Sequence, residues 1–147
     1  MSGCDRRSFL RVAAASLVAG PVVGCASVAV LPVEVRSGAV RLDPRDHPRL
    51  AQPGGFMRIQ PAGLPDSVLL FRQEGGFVAL SPVCQHLGCT VNVEGALIVC
   101  PCHGSTYDRE GRVLRGPTQR PLIRYPVTVT AEGELVIEVG RASGGTP

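Results

Sequence analysis

The stretch Cys84-Gln85-His86-Leu87-Gly88-Cys89 is followed ten residues later by Cys100-Pro101-Cys102-His103-Gly104-Ser105. These two segments hold four of the six cysteines and two of the three histidines in the chain. Thiolates and imidazoles at such close spacing place soft metal ligands on two neighbouring loops. Two loops that face each other can close around a small metal centre. We expect these loops at strand ends, where a rigid sheet can hold them.

The number of candidate ligands is informative about the kind of centre. Six candidates are two more than a structural zinc site requires, since such a site usually has Cys₄, Cys₃His or Cys₂His₂ ligands. The excess is explained if two cysteines and two histidines bind metal while the other two cysteines form a disulfide. A Rieske [2Fe–2S] centre has that ligand set, with two His on one iron and two Cys on the other. A structural zinc module and four unrelated structural cysteines are the alternatives.

Both segments resemble the Rieske iron–sulfur proteins of quinol-oxidising cytochrome bc and b/f complexes. The resemblance implies a role for each side chain: Cys84 and Cys100 bind one iron, His86 and His103 bind the other, and Cys89 and Cys102 form a disulfide between the loops. Rieske domains of ring-hydroxylating oxygenases generally lack that cysteine pair, so the resemblance points away from them. It implies one [2Fe–2S] cluster per chain.

The resemblance extends beyond the ligands, over roughly Phe77 to Val139. Ser105 and Tyr107 match family positions whose hydroxyls hydrogen-bond a bridging sulfide and a cysteine sulfur. Such donors raise the reduction potential, so we expect the high end of the Rieske range of roughly −150 to +300 mV. Gly116 and Pro117 match the third loop, which covers the cluster. The sequence departs from the family pattern just after them, since the next proline comes only at Pro121.

The N-terminal residues predict export. The segment Asp5-Arg6-Arg7-Ser8-Phe9-Leu10-Arg11 resembles a twin-arginine signal, and Val12 to Val33 contains no charged residue. The sequence Val22-Val23-Gly24-Cys25 resembles a lipobox, which makes Cys25 the lipidation candidate. An uncleaved anchor is the main alternative, since about 20 apolar residues span a bilayer, and release as a soluble protein is another. We expect a periplasmic or outer-face, membrane-associated protein, where a disulfide persists.

Composition and turn signals predict an all-β fold. The chain has 18 Gly and 13 Pro, with short Val, Ile and Leu runs between them. Residues 67–71 and 77–81 flank Glu74-Gly75-Gly76 as a hairpin, and residues 123–130 and 135–139 form another. Residues 1–32 are interpreted as the signal or anchor, and residues 33–147 as one domain. The resemblance implies a Rieske-type antiparallel β sandwich or barrel with the cluster loops at one end.

These observations favour a one-electron transfer protein, the iron–sulfur subunit of a quinol-oxidising complex rather than a complete enzyme, with no catalytic residue of its own. Cytochrome b- and c-type subunits and quinol are the expected partners. A stand-alone exported carrier or the small subunit of an arsenite-oxidase-like enzyme is the alternative. Nucleic-acid binding has little support, because no basic stripe is interleaved with aromatics. Five arginines follow the motif as a docking face or a solvated surface: Arg109, Arg112, Arg115, Arg120 and Arg124.

Overall fold

The computed structural model describes residues 29–140, which form thirteen short strands and two single turns of 3-10 helix. No α-helix occurs within those residues. The 3-10 turns are Pro44–Asp46 and Pro48–Leu50. The strands are β1 Val30–Val33, β2 Val35–Arg36, β3 Ala39–Leu42, β4 Phe56–Pro61, β5 Val68–Gln73, β6 Gly76–Leu80, β7 Asn92–Glu94, β8 Leu97–Val99, β9 Thr106–Tyr107, β10 Val113–Arg115, β11 Arg124–Tyr125, β12 Val127–Val129 and β13 Leu135–Glu138.

The strands form three sheets. The central sheet has the order β1-β4-β5-β6-β11, a second sheet has the order β12-β13-β3-β2, and a third has the order β10-β9-β8-β7. All neighbours pair antiparallel except β1 and β4, which run parallel. The third sheet carries the two cysteine-containing loops, one before β7 and one between β8 and β9. The predicted all-β, Rieske-type architecture is therefore present.

The central sheet is buried on both faces, which explains the unbroken apolar run of β5. Val68 and Leu70 pack into one core, against the β3 and β13 side chains Val40 and Ile137. Leu69 and Phe71 point the other way, because successive side chains alternate across a strand, and pack with the third sheet. The core on that second side includes the thiols of the first and second loops: Cys84 and Cys100. The two thiols therefore lie within a packed apolar core.

The predicted hairpins agree with the structure at their turns and differ at their ends. Strands β5 and β6 pair as far as Gln73 and Gly76, so the hairpin around Glu74-Gly75-Gly76 is confirmed. The predicted single strand over residues 123–130 is wrong: it is divided at Pro126 into β11 and β12, which belong to different sheets. Proline cannot donate to a strand ladder, so it ends one pairing and starts the next.

At the N-terminus, β1 begins at Val30 and pairs with β4 over residues 58–61. The strand therefore crosses the division predicted at residues 32 and 33. The twin arginines, the apolar run as far as residue 28 and Cys25 lie outside the described residues. Among residues 29–140, no helix has the length and apolar character needed to cross a membrane.

Candidate metal centre

The two cysteine-containing loops have the same six-residue hydrogen-bonding pattern. In the first loop, the Cys84 amide donates to the Cys89 carbonyl and the Gly88 amide donates to the Cys84 carbonyl, at 2.8 and 3.0 Å. In the second loop, the Cys100 amide donates to the Ser105 carbonyl at 2.8 Å, and the Gly104 amide donates to the Cys100 carbonyl at 2.9 Å. Both glycines have positive φ, +78° and +73°, which residues with a side chain rarely adopt. Each glycine therefore closes its loop.

A disulfide joins the loops. Cys89 and Cys102 are bonded, and their Cα atoms lie 6.5 Å apart. The disulfide that the family resemblance implies is therefore present. The Sγ atom of Cys100 lies within 4.8 Å of both disulfide sulfurs. Because the two bonded sulfurs cannot act as thiolates, Cys100 is the one metal-ligand candidate in this group of three.

Four candidate ligands stay free between the braced loops. Cys84 and Cys100 are unpaired thiols, and both are buried. The imidazole rings of His86 and His103 lie edge to face with their centroids 5.0 Å apart. His86 Nδ1 is buried and has no hydrogen-bond partner among the described residues. The structure thus places the two unpaired thiols and the two neighbouring imidazoles on the same pair of loops.

Two buried hydroxyls face the thiol of Cys84. The Tyr107 hydroxyl lies 3.2 Å from Cys84 Sγ and accepts a hydrogen bond from the Gln85 amide at 3.3 Å. Burial opposes ionisation of Cys84, but hydrogen bonds from Tyr107, the His86 backbone, Cys100 and Ser105 outweigh it and lower the pKa of the thiol. Burial and then the contact with Cys84 raise the pKa of Tyr107 to about 12. The phenol therefore keeps its proton as the Cys84 sulfur takes up negative charge.

The third loop is tied to both of the others. The Thr118 amide donates to Ser105 Oγ at 3.1 Å, and the Arg120 guanidinium donates to the Gln85 carbonyl at 3.1 Å. The Thr118 hydroxyl also donates to the Arg120 carbonyl at 3.2 Å. Thr118 is buried although it is polar. The sequence predicts Gly116 and Pro117 in this loop but gives no sign of the roles of Thr118 and Arg120. Those roles depend on how the loop folds, and no spacing of residues in the sequence indicates them.

The donor set fits an iron–sulfur cluster. A buried ring nitrogen without a partner costs free energy, and a metal bond to His86 would satisfy it. A thiol whose pKa is lowered before metal binds is suited to become a thiolate ligand. Two Cys and two His also suit zinc, but hydroxyls directed at a cysteine sulfur are the kind of contact that tunes an iron–sulfur centre. The fold and site define an electron-transfer iron–sulfur protein with two braced ligand loops.

The chain belongs to the Rieske family: the profile of the Rieske [2Fe-2S] domain matches residues 49–126. The chain is 37% identical over 76 residues to the cytochrome b6-f complex iron-sulfur subunit of Chlorobaculum tepidum, a match that covers 50% of this chain and 41% of that subunit. It is 40% identical over 74 residues to a putative respiratory nitrate reductase subunit Rieske of Haloferax mediterranei, covering 48% and 34%. The chain thus matches less than half the length of these relatives.

Solved structures agree on the fold. The quaternary ammonium Rieske monooxygenase CntA, in its apo form, superposes with a TM-score of 0.52 at 20% identity. The match covers 62% of this chain and 30% of that one. This similarity concerns the β fold alone. The family match makes the chain a Rieske electron carrier with a [2Fe–2S] cofactor.

Proposed function

We propose that this chain is the iron–sulfur subunit of a quinol-oxidising complex of the cytochrome bc or b6-f type. The observation that carries the proposal is the combination at one site of the Cys89–Cys102 disulfide with the Tyr107 contact to Cys84 Sγ at 3.2 Å. Similarity to cytochrome b6-f iron-sulfur subunits supports it. The expected partners are cytochrome subunits of b and c type, with quinol as electron donor.

Within the site we assign Cys84 and Cys100 to one iron and His86 and His103 to the other. When bound, the [2Fe–2S] cluster supplies one-electron transfer. The chain's own residues hold the two loops together, keep Cys84 and Cys100 in the apolar core, and leave the edge of the exposed His103 ring at the surface. That exposed imidazole edge can accept a hydrogen bond from a quinol hydroxyl, whereas the buried cysteines cannot.

The proposed potential is high for this class of centre. Two neutral imidazoles in place of two thiolates remove negative charge from the ligand set, which favours the reduced state. The hydroxyls of Tyr107 and Ser105 then stabilise negative charge on sulfur. Both are buried, so water does not compete for the hydrogen bonds. A midpoint potential near the bottom of the Rieske range would contradict this part of the proposal.

The decisive experiment is an EPR-monitored redox titration of the purified protein, with affinity purification from its native membranes. A reduced-state Rieske signal, a high midpoint potential and co-purifying b- and c-type haem would support the subunit role. Zinc without iron and sulfide would contradict the cluster. A cluster that purifies without any haem would favour a stand-alone carrier.

A second candidate is the small Rieske subunit of another exported oxidoreductase. Its support is the similarity to the Haloferax mediterranei protein named as a putative respiratory nitrate reductase subunit Rieske. Purification separates the two candidates, because this alternative predicts a large redox enzyme subunit in place of cytochrome b.

We further propose twin-arginine export and attachment to the outer face of the membrane, through a lipidated Cys25 or an uncleaved anchor. The mass of the N-terminal peptide of the mature protein tests this proposal. A diacylated or triacylated Cys25 supports the lipoprotein, and an intact N-terminus supports the anchor. A mature chain that begins after Cys25 without modification contradicts both.

A further inference from the structure

The loop end of the molecule has an unusual distribution of charge. We call this end the tip and define it as residues 82–91, 100–107 and 114–121, the three loops and their flanking positions. These residues include no Asp, Glu or Lys. Apart from the two histidines assigned as ligands, the charge of the tip comes from Arg115 and Arg120, and both are exposed. The tip is therefore cationic without any acidic side chain of its own.

The other arginines of the same segment are used internally. Arg112 pairs with Asp108 at 2.7 Å, and Arg124 pairs with Glu110 at 2.9 Å. Arg109 donates to the backbone carbonyls of Gly54 and Gly95. It thereby links the turn of the β7–β8 hairpin to the segment before β4. Among the described residues, no carboxylate lies within ion-pair distance of Arg115 or Arg120. Of the five arginines that follow the motif, two are therefore paired with a carboxylate, Arg109 is bound to carbonyls outside the tip, and Arg115 and Arg120 keep an uncompensated charge at the tip.

The two uncompensated arginines lie beside the ligand loops. Arg120 Nη2 donates to the Gln85 carbonyl, and Gln85 lies between Cys84 and His86. Arg115 is paired with Thr106 across β9 and β10, one residue from the end of the second loop. Two apolar side chains of the tip are also exposed, Leu87 by 69% and Leu114 by 57%. Exposed apolar side chains together with arginines are typical of protein interfaces.

We propose that the tip docks an acidic surface of a redox partner protein and that Arg115 and Arg120 steer that encounter. This inference rests on the proposed electron-transfer function and names the chemistry of the partner. Complementary charge raises the association rate more than it raises the final affinity. The Arg120 guanidinium donates to the Gln85 carbonyl, which places its charge beside the residue that precedes His86. An anionic membrane is the less favoured occupant, because it would cover the end through which electrons must pass.

Stopped-flow oxidation of the reduced, cluster-loaded protein tests the proposal. The probes are an acidic and a basic soluble c-type cytochrome at increasing ionic strength. The test variant is Arg115→Gln with Arg120→Gln, and the matched control is Arg49→Gln, which removes an exposed arginine outside the tip. With the acidic cytochrome, we expect the test variant to react roughly tenfold more slowly at low salt and to lose most of its salt dependence. With the basic cytochrome, it should react no more slowly than wild type.

The midpoint potential of each variant is measured alongside, so that a change in driving force is separated from a change in encounter rate. If wild type reacted with both cytochromes at equal rates that did not depend on salt, the docking proposal would be overturned. The electron-transfer function would be left intact. The docking proposal would also be overturned if Arg49→Gln slowed the reaction as much as the tip variant does. Arginine-dependent binding of the tip to vesicles of anionic phospholipid, with no effect on cytochrome rates, would also overturn it. No electron transfer to either cytochrome at any salt would contradict the proposed function itself.

Discussion

The hydroxyl of Tyr107 lies 3.2 Å from the Sγ atom of Cys84, with both side chains buried. Cys84 begins the first loop, and Tyr107 lies in β9, the strand that follows the second loop. The contact therefore links the two loops. The hydroxyl also accepts the Gln85 amide at 3.3 Å. Tyr107 therefore links the first loop to β9, and its hydroxyl is placed to donate to the Cys84 sulfur once that sulfur is negatively charged, as it would be in the proposed cluster.

Replacing Tyr107 by Phe should keep the cluster and lower its potential. A hydrogen bond has a net value of about 1 kcal/mol, and about 1.4 kcal/mol corresponds to 59 mV for a one-electron couple. We therefore expect a decrease of tens of millivolts, measured by redox titration followed by EPR. Tyr125→Phe is the matched control, since Tyr125 is the other tyrosine of the chain and lies in β11. An unchanged potential in Tyr107→Phe would remove the tuning role.

The ligand assignment predicts that removing any one ligand abolishes the cluster completely. Cys84→Ser or His103→Ala should give colourless protein without iron, sulfide or the reduced-state EPR signal, because each change removes one of four ligands. His47→Ala is the control, since the third histidine lies between the two 3-10 turns and outside the loops. Iron and sulfide analysis of the three variants checks the assignment. A full signal from either ligand variant would show that another residue binds that iron.

Features set by local sequence were predictable. The ligand pattern, the two glycines that close the loops and the β5–β6 turn are encoded within a few neighbouring residues. Strand β4 was missed although Met57 and Ile59 alternate with Arg58 and Gln60, a period-2 signal that follows Pro53-Gly54-Gly55 and precedes Ala62-Gly63. The break at Pro126 was missed because the apolar pattern continues through it.

The hydrogen bonds that join the third loop to the other two cannot be predicted from the spacing of residues in the sequence. Thr118 reaches Ser105 and Arg120 reaches Gln85, 13 and 35 residues away along the chain. Both contacts depend on how the loop folds back over the other two. Sequence alone could name Ser105 as a hydroxyl donor but could not show that its oxygen accepts a hydrogen bond from Thr118.

The pH dependence of stability should include a contribution from Asp43. Its side-chain and backbone hydrogen bonds with Arg45 lower its pKa from 3.8 to about 2. A lowered pKa stabilises the fold above the unfolded-state value, and this stabilisation is lost as pH falls from about 4 to about 2. Asp43→Asn should therefore unfold at lower denaturant concentration than wild type at pH 7, and the two should converge near pH 2.

Denaturant unfolding followed by circular dichroism measures this difference. The control is Asp46→Asn, since the Asp46 carboxylate acts on Arg45 only through space, without a hydrogen bond or ion pair to any of residues 29–140. If Asp43→Asn and wild type differ by the same amount at pH 7 and pH 2, the Arg45 contact does not act through the charge of Asp43.

The disulfide should stabilise the two loops without taking part in metal binding. Cys89→Ser with Cys102→Ser removes a cross-link between residues 13 positions apart, and a loss of about 2–4 kcal/mol in stability is typical for such a bond. The cluster should assemble with an unchanged set of ligands and be lost at lower temperature, as followed by visible absorption. Reductant should move wild type toward this behaviour and leave the double variant unchanged. Because Cys100 Sγ packs within 4.8 Å of both bonded sulfurs, loosening the bridge should first expose that ligand. A double variant that never assembles a cluster would instead make Cys89 or Cys102 a ligand.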